Sequence, residues 1–303
     1  MRRTWIIFLI GVGAVIALIS VLPSPRRAES GKLRVAVSIP PQAYLAGRIG
    51  GGLVSVETVV PPGKDAHTYT VTPAQREAIA RCRAYFTIGL PFEKNQIAAK
   101  LAATDKSLLF IDTTRGVPLR HMTAEEAGAD ADPDEPPHAA GEPDPHTWLN
   151  PRFARIEAAN ICAGLKQLDP AHAAEYDANL KRLDADLDRV DAKIAAALAP
   201  LKGRSFFVYH PAFGYFADAY GLTQVPVEIE GKEPGPRQVA ELIKSARRDG
   251  VRVIFVQPQF SARTADTIAA QIGGAVVRID DLAYDYIQNL ETIADKIKEA
   301  LAR

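Results

Sequence analysis

The chain has 303 residues, 47% of them hydrophobic and 24% charged, with a formal net charge of zero. That balance suits one large or two medium folded domains, and it excludes the basic field that nucleic-acid binding calls for. The two cysteines, Cys82 and Cys162, each fall inside a helical pattern and read as buried thiols; a disulfide remains open in an oxidising compartment.

Residues 1–30 read as an export segment. Arg2 and Arg3 precede an apolar run from Trp5 to Leu22, and Pro23-Ser24-Pro25-Arg26-Arg27 closes it. The run is long for a cleaved signal and close to the length that spans a bilayer, so a cleaved signal and an uncleaved N-terminal anchor both stand. Either way the rest of the chain is expected outside the cytoplasm, in the periplasm or on the outer face of the membrane.

The next hundred residues alternate strands and helices. Leu33–Ser38 and Val54–Val60 read as strands, with a helix from about Gln42 to Ile49 between them, stopped by Gly50-Gly51-Gly52. Thr72-Pro73-Ala74-Gln75 has the N-cap, first-turn proline and third-position glutamine of a capping box, which starts a helix reaching about Cys82. Ala84–Ile88 and Leu108–Ile111 are strands on either side of a helix at Glu93–Ala102. This alternation predicts βαβ units, a parallel sheet and helices on both faces.

Residues 123–145 break the pattern. The run holds eight acids, five prolines and no Lys or Arg, so it reads as a surface loop. Asn150 then offers an N-cap and Pro151 a first helical position for a helix to Leu168. After Asp169-Pro170, the residues Tyr176, Leu180, Leu183, Leu187, Val190, Ile194 and Leu198 make one apolar stripe on a helix of roughly 28 residues, about 40 Å long. A second α/β series follows it: strands at Ser205–Tyr209, Gln224–Val227, Val253–Val256 and Ala275–Ile279, and helices near Pro211–Tyr220, Pro236–Arg248, Ala262–Ile272 and Tyr284–Ala302. The expected organisation is an N-terminal lobe over 31–170, a linker helix over 171–200 and a C-terminal lobe over 201–303. Each lobe is a mostly parallel sheet flanked by helices.

Ligands of open α/β sheets sit beyond the carboxyl ends of the strands. His210 and Asp280 each directly follow an expected strand, His67 follows another after Pro61-Pro62-Gly63, and His146 lies on a stiff turn just ahead of the Asn150 cap. Three neutral imidazoles and one carboxylate make a four-ligand set suited to Zn²⁺ at about 2.0–2.2 Å per bond, with Mn²⁺ or Fe²⁺ bound more weakly. An all-oxygen Ca²⁺ or Mg²⁺ site would not use three histidines. No local metal spacing is present, so spacing alone leaves ordinary surface histidines equally open; His121, His138 and His172 read that way.

Five stretches add a resemblance: Pro61–Tyr69, Asp144–Pro151, His210-Pro211-Ala212-Phe213-Gly214-Tyr215-Phe216, Glu230-Gly231-Lys232-Glu233-Pro234 and Phe255-Val256-Gln257-Pro258-Gln259-Phe260-Ser261. In this order they resemble the metal-binding solute receptors of ABC importers, the ZnuA-like group, from about residue 33 to the end. The resemblance implies two α/β lobes joined by one long rigid helix, metal held between them, and an acidic, often His-rich loop before the second ligand. It carries four ligand positions onto His67, His146, His210 and Asp280, and histidine at the third favours zinc over manganese. Two departures stand out. Asp280-Asp281-Leu282 replaces the usual Asp-Pro-Leu, which makes Asp281 a competing ligand, and the acidic loop is poor in histidine. Glu230 and Gln257 are expected near the cleft. The function implied is that of a monomeric, non-enzymatic zinc receptor serving an ABC permease. A manganese or iron receptor, a surface adhesin or metal buffer, and a zinc hydrolase are the alternatives.

Overall fold

The computed structural model of the chain describes residues 31–101, 107–122, 143–228 and 233–302. The expected export segment, most of the acidic run, His138 and Glu230 lie outside them. Among the described residues, no helix is long and apolar enough to cross a membrane.

Two parallel sheets form, and the second repeats the topology of the first. Strands β1 (Leu33–Val37), β2 (Val54–Thr58), β3 (Ala84–Thr87) and β4 (Leu109–Asp112) lie in the order β2-β1-β3-β4. Strands β5 (Ser205–Val208), β6 (Thr223–Pro226), β7 (Val253–Val256) and β8 (Ala275–Arg278) lie in the order β6-β5-β7-β8. The inner strands are covered on both faces, which is why Val35-Ala36-Val37 and Val253–Val256 are unbroken apolar runs. Strand order reverses between β1 and β3 and between β5 and β7, and such a reversal opens a crevice at the carboxyl ends. In the first sheet the protein fills that crevice itself: the buried Glu93 carboxylate accepts N–H bonds from Ile88, Gly89 and Leu90 and a hydroxyl bond from Ser38. In the second sheet, His210 and Gln257 stand there.

The helices follow the local signals. Helix α1 spans Pro40–Gly50; α2 spans Pro73–Ala80 with both halves of the Thr72/Gln75 capping box formed. Glu93–Ala98 is a π-helical segment leading into α3 (Ala99–Leu101), where a plain helix was expected. Helix α4 is Pro151–Leu168, with the Asn150 side chain accepting from Arg152 N. Helix α5 is Ala173–Leu198. Helix α6 (Gly214–Tyr220) starts three residues later than expected, because Ala212 N donates to His210 O and Pro211–Phe213 form a tight turn. Helices α7 (Pro236–Arg248), α8 (Arg263–Ile272) and α9 (Tyr286–Leu301) complete the chain.

Helix α5 lies between the two sheets and packs against α1, α4, α6 and α9. It buries Tyr176, Leu183, Leu187, Val190, Ile194 and Leu198 as the stripe predicts; Asn179 joins the buried row beside the partly covered Leu180, and its amide donates to Ile49 O at the end of α1. Each buried Leu or Ile contributes roughly 1.5–3 kcal/mol, against about 0–1 kcal/mol for an exposed ion pair. The apolar stripe, not pairs such as Lys193–Glu291, therefore holds this helix. One core runs from Val35 and Phe86 through Leu187 to Phe206 and Phe255, and a smaller one covers the far face of the second sheet. Cys82 and Cys162 are both buried free thiols.

Beneath the His146 turn, α4 carries the fully buried Glu157, whose Oε1 accepts the Thr147 hydroxyl at 2.6 Å. Burial pushes its carboxyl up to about 8, partly countered by the Thr147 bond. The folded chain thus keeps a proton that the unfolded chain gives up near pH 4.3, so stability from this group is lost as pH rises from about 4.3 to about 8. Glu157→Gln should therefore gain in melting temperature relative to wild type between pH 5 and pH 8; a constant difference in thermal scans would contradict the neutral carboxyl.

Candidate metal centre

Each histidine is presented by a different local device. His146 sits between Pro145 and the tight turn Thr147–Leu149. Its backbone N donates to Asp144 Oδ1 at 3.0 Å, and its Nδ1 lies 2.7 Å from the same oxygen. The other Asp144 oxygen accepts from Arg120 Nη1 at 2.9 Å, and Arg120 also reaches Asp218 of α6 at 3.1 Å. Arg120 crosses Gly214 so closely that a Cβ there would stand 1.8 Å from Nη1, which explains the glycine at the start of α6.

His210 follows β5. Its Nδ1 is hydrogen-bonded to Glu228 Oε1, and its backbone is clamped by Gln257, whose Oε1 accepts from His210 N at 3.2 Å while Nε2 donates to His210 O at 2.7 Å. Phe260 stacks on the imidazole with ring centroids 5.1 Å apart. His67 lies on the loop after β2, where Asp65 caps the turn by accepting from His67 N at 2.8 Å and from the Thr68 hydroxyl at 2.6 Å.

The three rings converge. His146 Nε2 is 3.0 Å from His67 Nε2 and 3.2 Å from His210 Nε2. One ligand atom from each of the three lies within 4.8 Å of the others, the grouping a metal ion requires. A ring nitrogen facing a carboxylate carries the proton, so Asp144 and Glu228 make Nδ1 the N–H of His146 and His210 and leave a lone pair on each Nε2. Two such lone pairs at 3.2 Å repel unless a proton or a metal cation lies between them. Burial, reinforced by His210 and His146, holds the His67 imidazole well below its ordinary value, so it too is a neutral donor at neutral pH. Burial opposes charge on His210, but the Glu228 hydrogen bond and the nearby carboxylates outweigh it and raise this imidazole. Burial alone would raise Asp144; His146 and Arg120 bring it below the usual carboxylate range.

Neither acid at 280–281 belongs to that tight group, and the structure gives the two different surroundings. Asp280, the expected fourth ligand, accepts from Leu282 N at 2.9 Å and from Gln259 Nε2 at 3.4 Å, and it lines a small cavity with Pro258, Arg278, Asn289 and Lys296. Asp281 is buried, and its Oδ1 accepts no hydrogen bond. Burial pushes its carboxyl up to about 6, countered by His210 and His146. Of the residues expected to line the cleft, Gln257 orients the His210 backbone. The carboxylate on His210 comes from Glu228, which no spacing marked. Asp144, which holds His146, lies in one of the stretches that carry the resemblance, but nothing in the sequence singled it out. His121, bridged to Pro143, and His172, paired with Asp169, lie outside the group. Three nitrogen donors beside a buried carboxylate suit zinc and do not suit hard oxygen-seeking cations.

A family described as zinc-uptake complex component A, periplasmic, matches residues 35–300. The chain belongs to the ZnuA family. A relative from Brucella suis biovar 1, named high-affinity zinc uptake system protein ZnuA, is 26% identical over 307 residues, covering 89% of this chain and 92% of its own. A ZnuA crystal structure is 36% identical and superposes with a TM-score of 0.80, covering 89% of this chain and all of that one. A ZnuA deletion mutant with zinc bound is 37% identical, with a TM-score of 0.79 over 89% of this chain and 98% of its own.

Carboxylates on metal-binding histidines fix both tautomer and ring direction, and their removal commonly costs about 10–100-fold in metal affinity. Asp144→Asn and Glu228→Gln should each weaken zinc binding by such a factor in competition with a chromophoric chelator. Undiminished affinity in both would show that ring orientation does not depend on these acids.

Proposed function

We propose that the chain is an extracytoplasmic zinc receptor that binds one ion through His67, His146 and His210 and hands it to an ABC permease in the cytoplasmic membrane. The convergence of three imidazole Nε2 atoms, two with their tautomers fixed by carboxylates, carries this reading. For the fourth ligand we put Asp281 in place of Asp280, because its buried oxygen lacks a hydrogen bond and its electrostatics are tied to His210 and His146. The receptor acts as a monomer in the periplasm or on the extracytoplasmic face of the cytoplasmic membrane, with residues 1–30 serving as export signal or anchor.

The site favours capture over catalysis. A hydrolase needs an open metal position and a general base beside it. In this reading three imidazoles and one carboxylate would fill a four-ligand zinc site, and the neighbouring acids Asp144 and Glu228 are held on the rings of His146 and His210. The core shared by both lobes and α5 favours release by small local movement over wide hinge closure. Zinc is favoured over manganese because all three converging donors are imidazole nitrogens.

Metal content by mass spectrometry, on protein purified without added metal, should give roughly one zinc per wild-type chain and far less for His210→Ala. Equal zinc in both would remove His210 from the site. Protons compete for imidazoles, so zinc affinity should fall steeply from about pH 7.5 to about pH 5. A flat profile in chelator competition would contradict ligation by three histidines.

A further inference from the structure

The two lobes meet directly behind the histidines through a reciprocal pair of hydrogen bonds. Trp148, two residues after His146, is buried, and its indole Nε1 donates to the main-chain oxygen of Asp281 at 2.7 Å. Tyr286, the first residue of α9, returns the contact: its hydroxyl donates to the main-chain oxygen of Trp148. An indole N–H can only donate, and leaving it buried without an acceptor is costly, so the pair forms as a unit or the two segments separate. The partners are 133 and 138 residues apart in sequence and join the turn carrying His146 to the segment carrying Asp281.

That segment is held at further points. Asn289 of α9 donates to the Asp280 main-chain oxygen at 2.6 Å, and Asp280 Oδ1 accepts from Leu282 N. The main-chain oxygens of Asp280 and Asp281 are thus both engaged, while the Asp281 carboxylate keeps a buried oxygen that accepts no hydrogen bond. Trp148 also packs beside the metal-site ring itself, with its centroid 5.2 Å from that of His146.

We propose that Trp148 and Tyr286 are positioning residues for metal binding, a latch that fixes where the Asp281 carboxylate stands relative to the three imidazoles. This inference rests on the zinc-receptor reading. Neither residue touches the ion; each acts by holding the 280–285 segment against the His146 turn. The competing view is that the pair only stabilises the contact between the lobes, and coupling to Asp281 separates the two.

Zinc affinity is measured by competition with a fluorescent chelator for the wild type, Trp148→Phe, Tyr286→Phe, Asp281→Asn and the two double variants. Melting of the zinc-free proteins is followed alongside. Tyr286→Phe removes a single oxygen atom and keeps the test open if Trp148→Phe fails to fold. Trp148→Phe and Tyr286→Phe should each bind roughly tenfold more weakly at unchanged stoichiometry, and neither should weaken binding further once Asp281 is Asn. Losses that add fully to that of Asp281→Asn, or lowered melting with unchanged affinity, would overturn the positioning role. A wild type that binds no zinc would instead overturn the receptor reading, and the latch with it.

Discussion

Two carboxylates set the character of the site. Asp144 and Glu228 each accept the Nδ1 proton of an imidazole and so turn the Nε2 lone pairs of His146 and His210 toward one another. Held in water, such lone pairs would take hydrogen bonds; held at 3.2 Å behind buried walls, they call for a cation. Much of the surrounding structure serves that orientation. Arg120 holds the far oxygen of Asp144, Gly214 leaves room for Arg120, Gln257 fixes the His210 backbone, and Asp65 shapes the turn that brings in His67. These supports come from both lobes, so the centre is complete only when the lobes are in register.

The fold supplies that register by packing. Two sheets of the same strand order stand on either side of α5, and one apolar core passes from the first sheet through the helix to the second. The donors arrive by different routes: His210 from the crevice beyond β5, His67 from the loop after β2, and His146 from the turn ahead of α4. In the first sheet the equivalent crevice is closed by Glu93 on its cradle of backbone N–H groups. The two halves thus share an architecture but furnish their crevices differently, one with His210 and Gln257 and one with the Glu93 carboxylate. Interiors this closely packed resist continuous deformation.

Much of this was legible in the sequence, and the rest was hidden for identifiable reasons. The strands follow from short apolar runs, and α2 and α4 from a capping residue and a first-turn proline. The three converging histidines could be marked because each lies near a strand end or a helix start. The choice between Asp280 and Asp281 was not legible. The two acids are adjacent, and the contacts that give them different surroundings come from Trp148 on the main-chain oxygen of Asp281 and Asn289 on that of Asp280, residues distant in sequence or on another element. Glu228 carries no local signature either, since its partner His210 is 18 residues away. The delayed start of α6 was missed because Pro211 looks like a first helical residue, whereas a tight turn is needed to carry the chain from His210 into the helix. The π-helical opening at Glu93 has no sequence rule that would have announced it.

The coordination sphere itself is the most direct test. Zinc K-edge X-ray absorption on the zinc-loaded protein should show three nitrogen neighbours at about 2.0–2.1 Å with the outer scattering of three imidazole rings, plus one oxygen at about 2.0–2.2 Å. A sulfur neighbour, or fewer than three imidazole rings, would contradict a site built on His67, His146 and His210.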